Sequence, residues 1–168
     1  MNTQHEPAPG HVPPGTTPQG VAEYLGRDHD AIDVILADAL RMAEDGETER
    51  AEHTFAEFAD GLRRHIAIEE ELLFPVFDRR HGFGGCGRPG GPSSVMVLEH
   101  RSIQNALAEC QHALASLGKI DFREPFAHLR QLVEMHNVKE EQVLYPIIDR
   151  ALSPTERVEL VARMRQVK

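Results

Sequence analysis

An internal repeat restricts the fold of this 168-residue chain more than any other feature. Residues 65 to 78 read HIAIEEELLFPVFD and residues 136 to 149 read HNVKEEQVLYPIID, an offset of 71. At that offset His65 meets His136, Glu69 meets Glu140, Glu70 meets Glu141, Leu73 meets Leu144, Phe74 meets Tyr145, Pro75 meets Pro146 and Asp78 meets Asp149. The same offset lays RDHDAIDVIL on LEHRSIQNAL, so His29 meets His100. Each half is a pair of helices, with one His on the first and a His-x-x-x-Glu on the second.

The hydrophobic period supports this reading. Val21, Leu25, Ile32, Ile35, Leu36, Ala39 and Leu40 form one stripe, predicting a helix from Thr17-Pro18 to the Asp45-Gly46 stop. Phe55, Phe58, Leu62, Ile66, Leu73 and Phe77 mark a second helix reaching about Arg80, which Pro75 should kink or break. The Gly/Pro-dense stretch HGFGGCGRPGGP, residues 81 to 92, must then be a loop. A third helix is expected from Ser93 to Leu117 with Gly118 as its stop, and a fourth from an Asp121/Glu124 capping box to Arg150, carrying Pro146. Ser153-Pro154 with Glu156 opens a short fifth helix.

No segment alternates with period two. The expected class is all-α: an up-down-up-down four-helix bundle, residues 18–168, made of helix pairs 18–80 and 93–151 and a C-terminal helix 154–167. Residues 1–17, rich in Pro, Gly and Thr, have too little to bury to offset their ordering entropy and are expected to be a flexible, disordered N-terminal tail.

The spacing of the repeat has a chemical meaning. Positions i and i+4 share a helix face, so His65 with Glu69, and His136 with Glu140, can each serve one metal site. With His29 and His100 on the other two helices, four imidazoles and two carboxylates would meet in the bundle centre. Imidazole and oxygen donors suit iron, manganese or zinc, and carboxylates can bridge two ions. An isolated His-x-x-x-Glu is ordinarily a solvated ion pair. Here the pattern recurs twice beside apolar neighbours, where unpaired burial would be costly.

Composition narrows the partners. Twenty-seven Asp and Glu against eighteen Lys and Arg give a net charge of −9, which repels phosphate backbones and anionic lipid, so neither nucleic acid nor membrane is expected. No stretch approaches a membrane span, and the N-terminus lacks the basic and apolar regions of a secretory signal. Cys86 and Cys110 make no disulfide framework, zinc ribbon or redox pair. The expectation is a cytoplasmic protein.

At these residues the chain resembles the hemerythrin-like, or HHE cation-binding, family over roughly residues 20 to 150. The resemblance implies a four-helix bundle around a non-haem di-iron centre, with His29, His65, Glu69, His100, His136 and Glu140 as ligands and the two Glu as bridges. Oxygen-carrying hemerythrins have a further His where this chain has Met96, and place the last carboxylate at the position of Glu141 rather than Glu140. The chain is more similar to four-His/two-Glu members, which include iron-sulfur-cluster repair proteins, although the separate N-terminal domain of those proteins is absent. The implied cofactor is two iron ions, oxo- or hydroxo-bridged, with zinc or manganese as alternatives. The implied ligand is a small oxidant such as O2, peroxide or NO. Whether the chain is an enzyme, an iron or oxygen sensor, an iron handler or a structural zinc bundle stays open at this point, as does any protein partner.

Several other residues draw attention. Tyr24, about one turn before His29, is placed either near a metal or at the bundle end. Asp28 and Glu99, each preceding a His, either orient imidazoles or lie on the surface. Met96 is expected to fill core volume, and His53, His81, His112 and His128 to be structural or exposed. Nothing near Cys86 predicts a reactive thiol.

Overall fold

A computed structural model describes residues 20–82, 92–116 and 121–168. Its helices are α1 (Val21–Glu44), α2 (Thr48–Ile68), α3 (Phe74–His81), α4 (Pro92–Ala115), α5 (Arg123–Lys139), α6 (Tyr145–Ala151) and α7 (Pro154–Met164). The expected tail, most of the Gly/Pro loop with Cys86, and the Gly118 stop lie outside the described residues. All regular structure among the described residues is helical. Four rods, α1, α2 with α3, α4, and α5 with α6, form the expected up-down-up-down bundle, with α7 as the short fifth helix.

The two prolines do not break their helices. One π-helical turn, Glu69–Leu73, joins α2 to α3, and another, Glu140–Leu144, joins α5 to α6. In each, the backbone bond reaches five residues back instead of four: Phe74 N–H donates to Glu69 O, and Tyr145 N–H to Glu140 O. Pro75 and Pro146 follow directly. Proline has no N–H to offer and its ring crowds the carbonyl four residues before it, so widening the preceding turn by one residue relieves the conflict without ending the helix.

Helix ends follow local chemistry. Gly46, at φ +78°, sits past the end of α1, with Gly46 N–H on Ala43 O and Glu47 N–H on Met42 O, a Schellman closure that favours glycine. At α7 the expected capping box is present: Ser153 Oγ accepts from Glu156 N–H, and Ser153 N–H donates to the Glu156 carboxylate. Arg80 pairs with Glu156 and ties α3 to this end. The Asp121/Glu124 box is not formed. Phe122 is the N-cap of α5, and Asp121 accepts from Arg123 N–H at 3.0 Å. Phe122 is instead buried against Phe126, so core packing decides the start of this helix.

Two apolar clusters fill the bundle. The larger runs from Ile32 to Ala43 on α1 across Phe55, Phe58 and Leu62 on α2 to Leu107, Phe126 and Val133 on α4 and α5. The other gathers Val21, Leu25, Ile68, Phe74, Phe77, Met96, Ile148, Leu160 and Met164 under α7. Each fully buried Leu, Ile or Phe contributes about 1.5–3 kcal/mol. Together the clusters hold a polar layer between them.

The repeated aspartates, Asp78 and Asp149, act at helix starts. Asp149 on α6 accepts from Val21 N–H at 2.8 Å and Ala22 N–H at 3.0 Å, capping α1 across the bundle. Gly20 lets this carboxylate approach, since a Cβ there would lie 2.8 Å from it. Asp78 accepts from Ser93 Oγ at 2.7 Å in the first turn of α4. Replacing Asp149 with Ala should lower the unfolding free energy by about 1–2 kcal/mol, measured by urea denaturation, with helix content of the folded state unchanged.

Candidate metal centre

The polar layer is assembled from one residue of each rod plus two carboxylates. His29 comes from α1, His65 from α2, His100 from α4 and His136 from α5, while Glu69 and Glu140 open the two π-helical turns. All six are buried, and both Glu side chains are 0% exposed. Each comes from the apolar stripe of its own helix, so the packing that buries the stripe also turns these side chains inward.

Their inner atoms form two groups. His29 Nε2 and His65 Nε2 lie 2.9 Å apart, with Glu140 Oε2 3.5 Å from His29 Nε2. His100 Nε2 and His136 Nε2 lie 3.0 Å apart, with Glu69 Oε2 3.2 Å from the first and Glu140 Oε1 3.1 Å from the second. Glu140 thus belongs to both groups, one oxygen to each. Within each group the donor atoms all lie within 4.8 Å of one another, close enough to share an ion. Glu69 Oε2 and Glu140 Oε1 are buried and find no hydrogen-bond donor among the described residues. An unpaired carboxylate oxygen in a dry interior is costly, and a cation between these atoms would remove that cost, so the donor set fits metal ions.

The outer edge of every imidazole is also held. Nδ1 of His65 meets Asp28 at 2.9 Å and that of His136 meets Glu99 at 3.0 Å. Nδ1 of His29 meets Glu141 at 2.7 Å and that of His100 meets Glu70 at 2.8 Å. Arg64 and Lys139 brace two of these carboxylates, at Asp28 and Glu99. A carboxylate at Nδ1 fixes the proton there and turns the Nε2 lone pair inward, as metal-binding histidines require. Asp28 and Glu99 thus orient imidazoles rather than lie as plain surface charges. The same task for Glu70 and Glu141 was not legible. Glu141, the oxygen-carrier alternative to Glu140, has a side chain 46% exposed and stands outside the inner cluster.

One residue of the layer escapes sequence reasoning altogether. The Tyr145 hydroxyl lies among the inner atoms, 2.6 Å from Glu69 Oε1 and 2.9 Å from Glu140 Oε2. The π-helical turn puts it there, because residue i+5 rather than i+4 comes to lie over Glu140. Tyr24 is not part of the site. It lies half-buried beneath the Arg165 guanidinium at the bundle end. Met96 fills core volume in the cluster under α7. His53, His112 and His128 are exposed, and His81 bonds Phe77 O. Cys110 is buried, and burial pushes its thiol up to about 12, which leaves it unreactive.

Charge is distributed unevenly in the layer. Burial, reinforced by the charge of Glu140, pushes the Glu69 carboxyl well above the usual range. Burial acts the same way on Glu140, but the adjacent His136 and His29 imidazoles outweigh it and hold that carboxyl well below the usual range. Burial opposes the charge of His29, yet Glu140 and Glu141 raise it from 6.5 to about 9. His136 is also raised: burial opposes this, and the adjacent Glu140 carboxylate prevails. Without a metal, protons therefore occupy the layer and offset the buried negative charge.

The family model for the hemerythrin HHE cation binding domain matches residues 21–148, and matches again over residues 91–166. No curated protein and no solved structure matches the chain. The first match runs from the start of α1 into α6 and takes in all four imidazoles and both buried carboxylates. The chain belongs to the hemerythrin HHE cation-binding domain family.

Proposed function

We propose that the polar layer holds two iron ions, bridged by Glu140 and Glu69, and that the protein uses them to bind or turn over a small oxidant: O2, peroxide or NO. The observation that carries this is the sharing of one carboxylate between two converging donor groups, with orphaned oxygens aimed at one of them. A single structural zinc site is four-coordinate and closed, and would leave the second group of donors without a role. When bound, iron supplies the electrons by passing between ferrous and ferric states.

The chain's own residues do the rest. Asp28, Glu70, Glu99 and Glu141 fix the imidazoles and sharpen the direction of each lone pair. The apolar clusters on either side exclude bulk water, which strengthens every electrostatic contact inside the layer. Four imidazoles and two carboxylates would hold the ions while leaving donor positions free for a small ligand.

Two outcomes test this reading. Iron-loaded protein supplied with an external electron donor should consume peroxide or NO over many turnovers. Glu69→Ala and Glu140→Ala should lose paired iron and that activity, whereas Glu70→Ala and Glu141→Ala should keep it, with affinity lowered about 10–100-fold. Reversible metal loss that melts the helices without turnover would make the chain a sensor instead, and full occupancy by zinc would make it a structural bundle.

The second outcome concerns pH. In the metal-free protein His29 titrates near 9 against an ordinary 6.5, so the stability from its charged form is complete below about 6.5 and lost as pH rises through about 9. Thermal unfolding of the metal-free protein should fall in temperature across that window. Metal affinity should rise across it, because the same proton competes with the ion. Parallel changes of the two would contradict the assignment of His29.

A further inference from the structure

The repeat that duplicates every other part of the layer fails at a single atom. Position 74 is Phe and position 145 is Tyr. The Phe74 ring stacks on His100, centroids 5.6 Å apart and planes 15° apart. The Tyr145 ring lies against His29 at 5.8 Å and carries a hydroxyl into the layer.

That hydroxyl has four polar neighbours. It is 2.6 Å from Glu69 Oε1, 2.9 Å from Glu140 Oε2, 3.3 Å from His29 Nε2 and 3.4 Å from His65 Nε2. In the neutral form that metal binding requires, with Nδ1 protons held by outer carboxylates, the imidazoles offer only lone pairs here, and the phenol has one proton of its own. In that form one proton cannot serve four acceptors, and hydrogen bonding alone does not satisfy the cluster. The distances have a different meaning as edges of a coordination shell. Donors on one ion with bonds of about 2.1 Å are about 3.0 Å apart at right angles and about 3.4 Å apart at the tetrahedral angle. The recognised donors show the same spacing: 2.9 Å between His29 and His65, and 3.0 Å between His100 and His136.

The geometry points to Tyr145 as a further protein ligand, its phenol oxygen bonding the ion held by His29 and His65. This rests on the di-iron reading above. In forming that bond the phenol releases its proton to solvent, together with the protons displaced from the other ligands. No redox change is needed when ferric iron is the ion loaded. The two metal positions then differ. The one beside His29 gains an oxygen donor. The one beside His100 and His136 is faced by the Phe74 ring and keeps its free place, so the small oxidant binds there.

The chain has two tyrosines, Tyr24 and Tyr145, so the assignment can be isolated. Position 74 shows that the repeat packs with Phe, so Tyr145→Phe should fold. The full-length wild type, Tyr24→Phe and Tyr145→Phe are loaded with ferric iron, and iron content is read beside the absorption and resonance Raman spectra. The expected result is a tyrosinate-to-iron charge-transfer band with enhanced tyrosinate ring modes in the wild type and Tyr24→Phe. Both features vanish in Tyr145→Phe at unchanged iron content. If Tyr145→Phe also loses iron, the band in Tyr24→Phe still assigns the ligand, because Tyr145 is then the sole tyrosine. Two irons bound by the wild type without the band, or a band that survives in Tyr145→Phe, would overturn the inference while leaving the di-iron reading intact. No iron bound by the wild type would overturn both.

Discussion

Two carboxylates with no exposed surface, set among four imidazoles in the middle of a helical bundle, are the condition on which the rest of the structure turns. Burial of such groups is tolerable only when every polar atom has a partner. On the outer side partners are supplied by Asp28, Glu70, Glu99 and Glu141, which each hold one Nδ1. On the inner side the lone pairs of Glu69, Glu140 and the four Nε2 atoms face one another. Protons relieve this repulsion incompletely, as the opposite displacements of Glu69 and Glu140 indicate. Cations of higher charge relieve it better, and for that reason the layer fits metal.

The apolar clusters give the layer its rigidity. One lies on each side, so the donor atoms are positioned by packing rather than by their own weak mutual contacts. The π-helical turns connect packing to chemistry. By adding one residue between the carboxylate and the proline, each turn brings an aromatic ring over the site where a regular helix would bring Leu73 or Leu144. Asp149 reaches back to cap α1 and fixes the rod that carries His29 against the rod that carries Glu140. The site and the fold thus share their determinants.

Much of this was legible in the sequence because duplication makes a pattern self-checking. A His-x-x-x-Glu that occurs twice at one offset, each time following a lone His, needs only the 3.6-residue period to place it, and the structure brings those six residues together. Helix boundaries were legible where local chemistry decides them, as at Ser153 and Gly46. They were misread at Asp121, where the burial of Phe122 outweighs the side-chain cap. Tyr145 was hidden because a helical wheel with a constant 100° step turns it away from Glu140, and only the extra residue of the π-helical turn returns it. The roles of Glu70, Glu141 and Asp149 depend on partners 30 to 128 residues away. Local periodicity carries no information about such pairings.

One buried layer is proposed to hold two ions that share carboxylates. Crystals of iron-loaded protein, measured at the iron absorption edge, address this most directly through the anomalous difference map. Two peaks per chain are expected, roughly 3.5–4 Å apart, enclosed by His29, His65, His100, His136, Glu69 and Glu140. A single peak in the layer, or iron only at the protein surface, would contradict it.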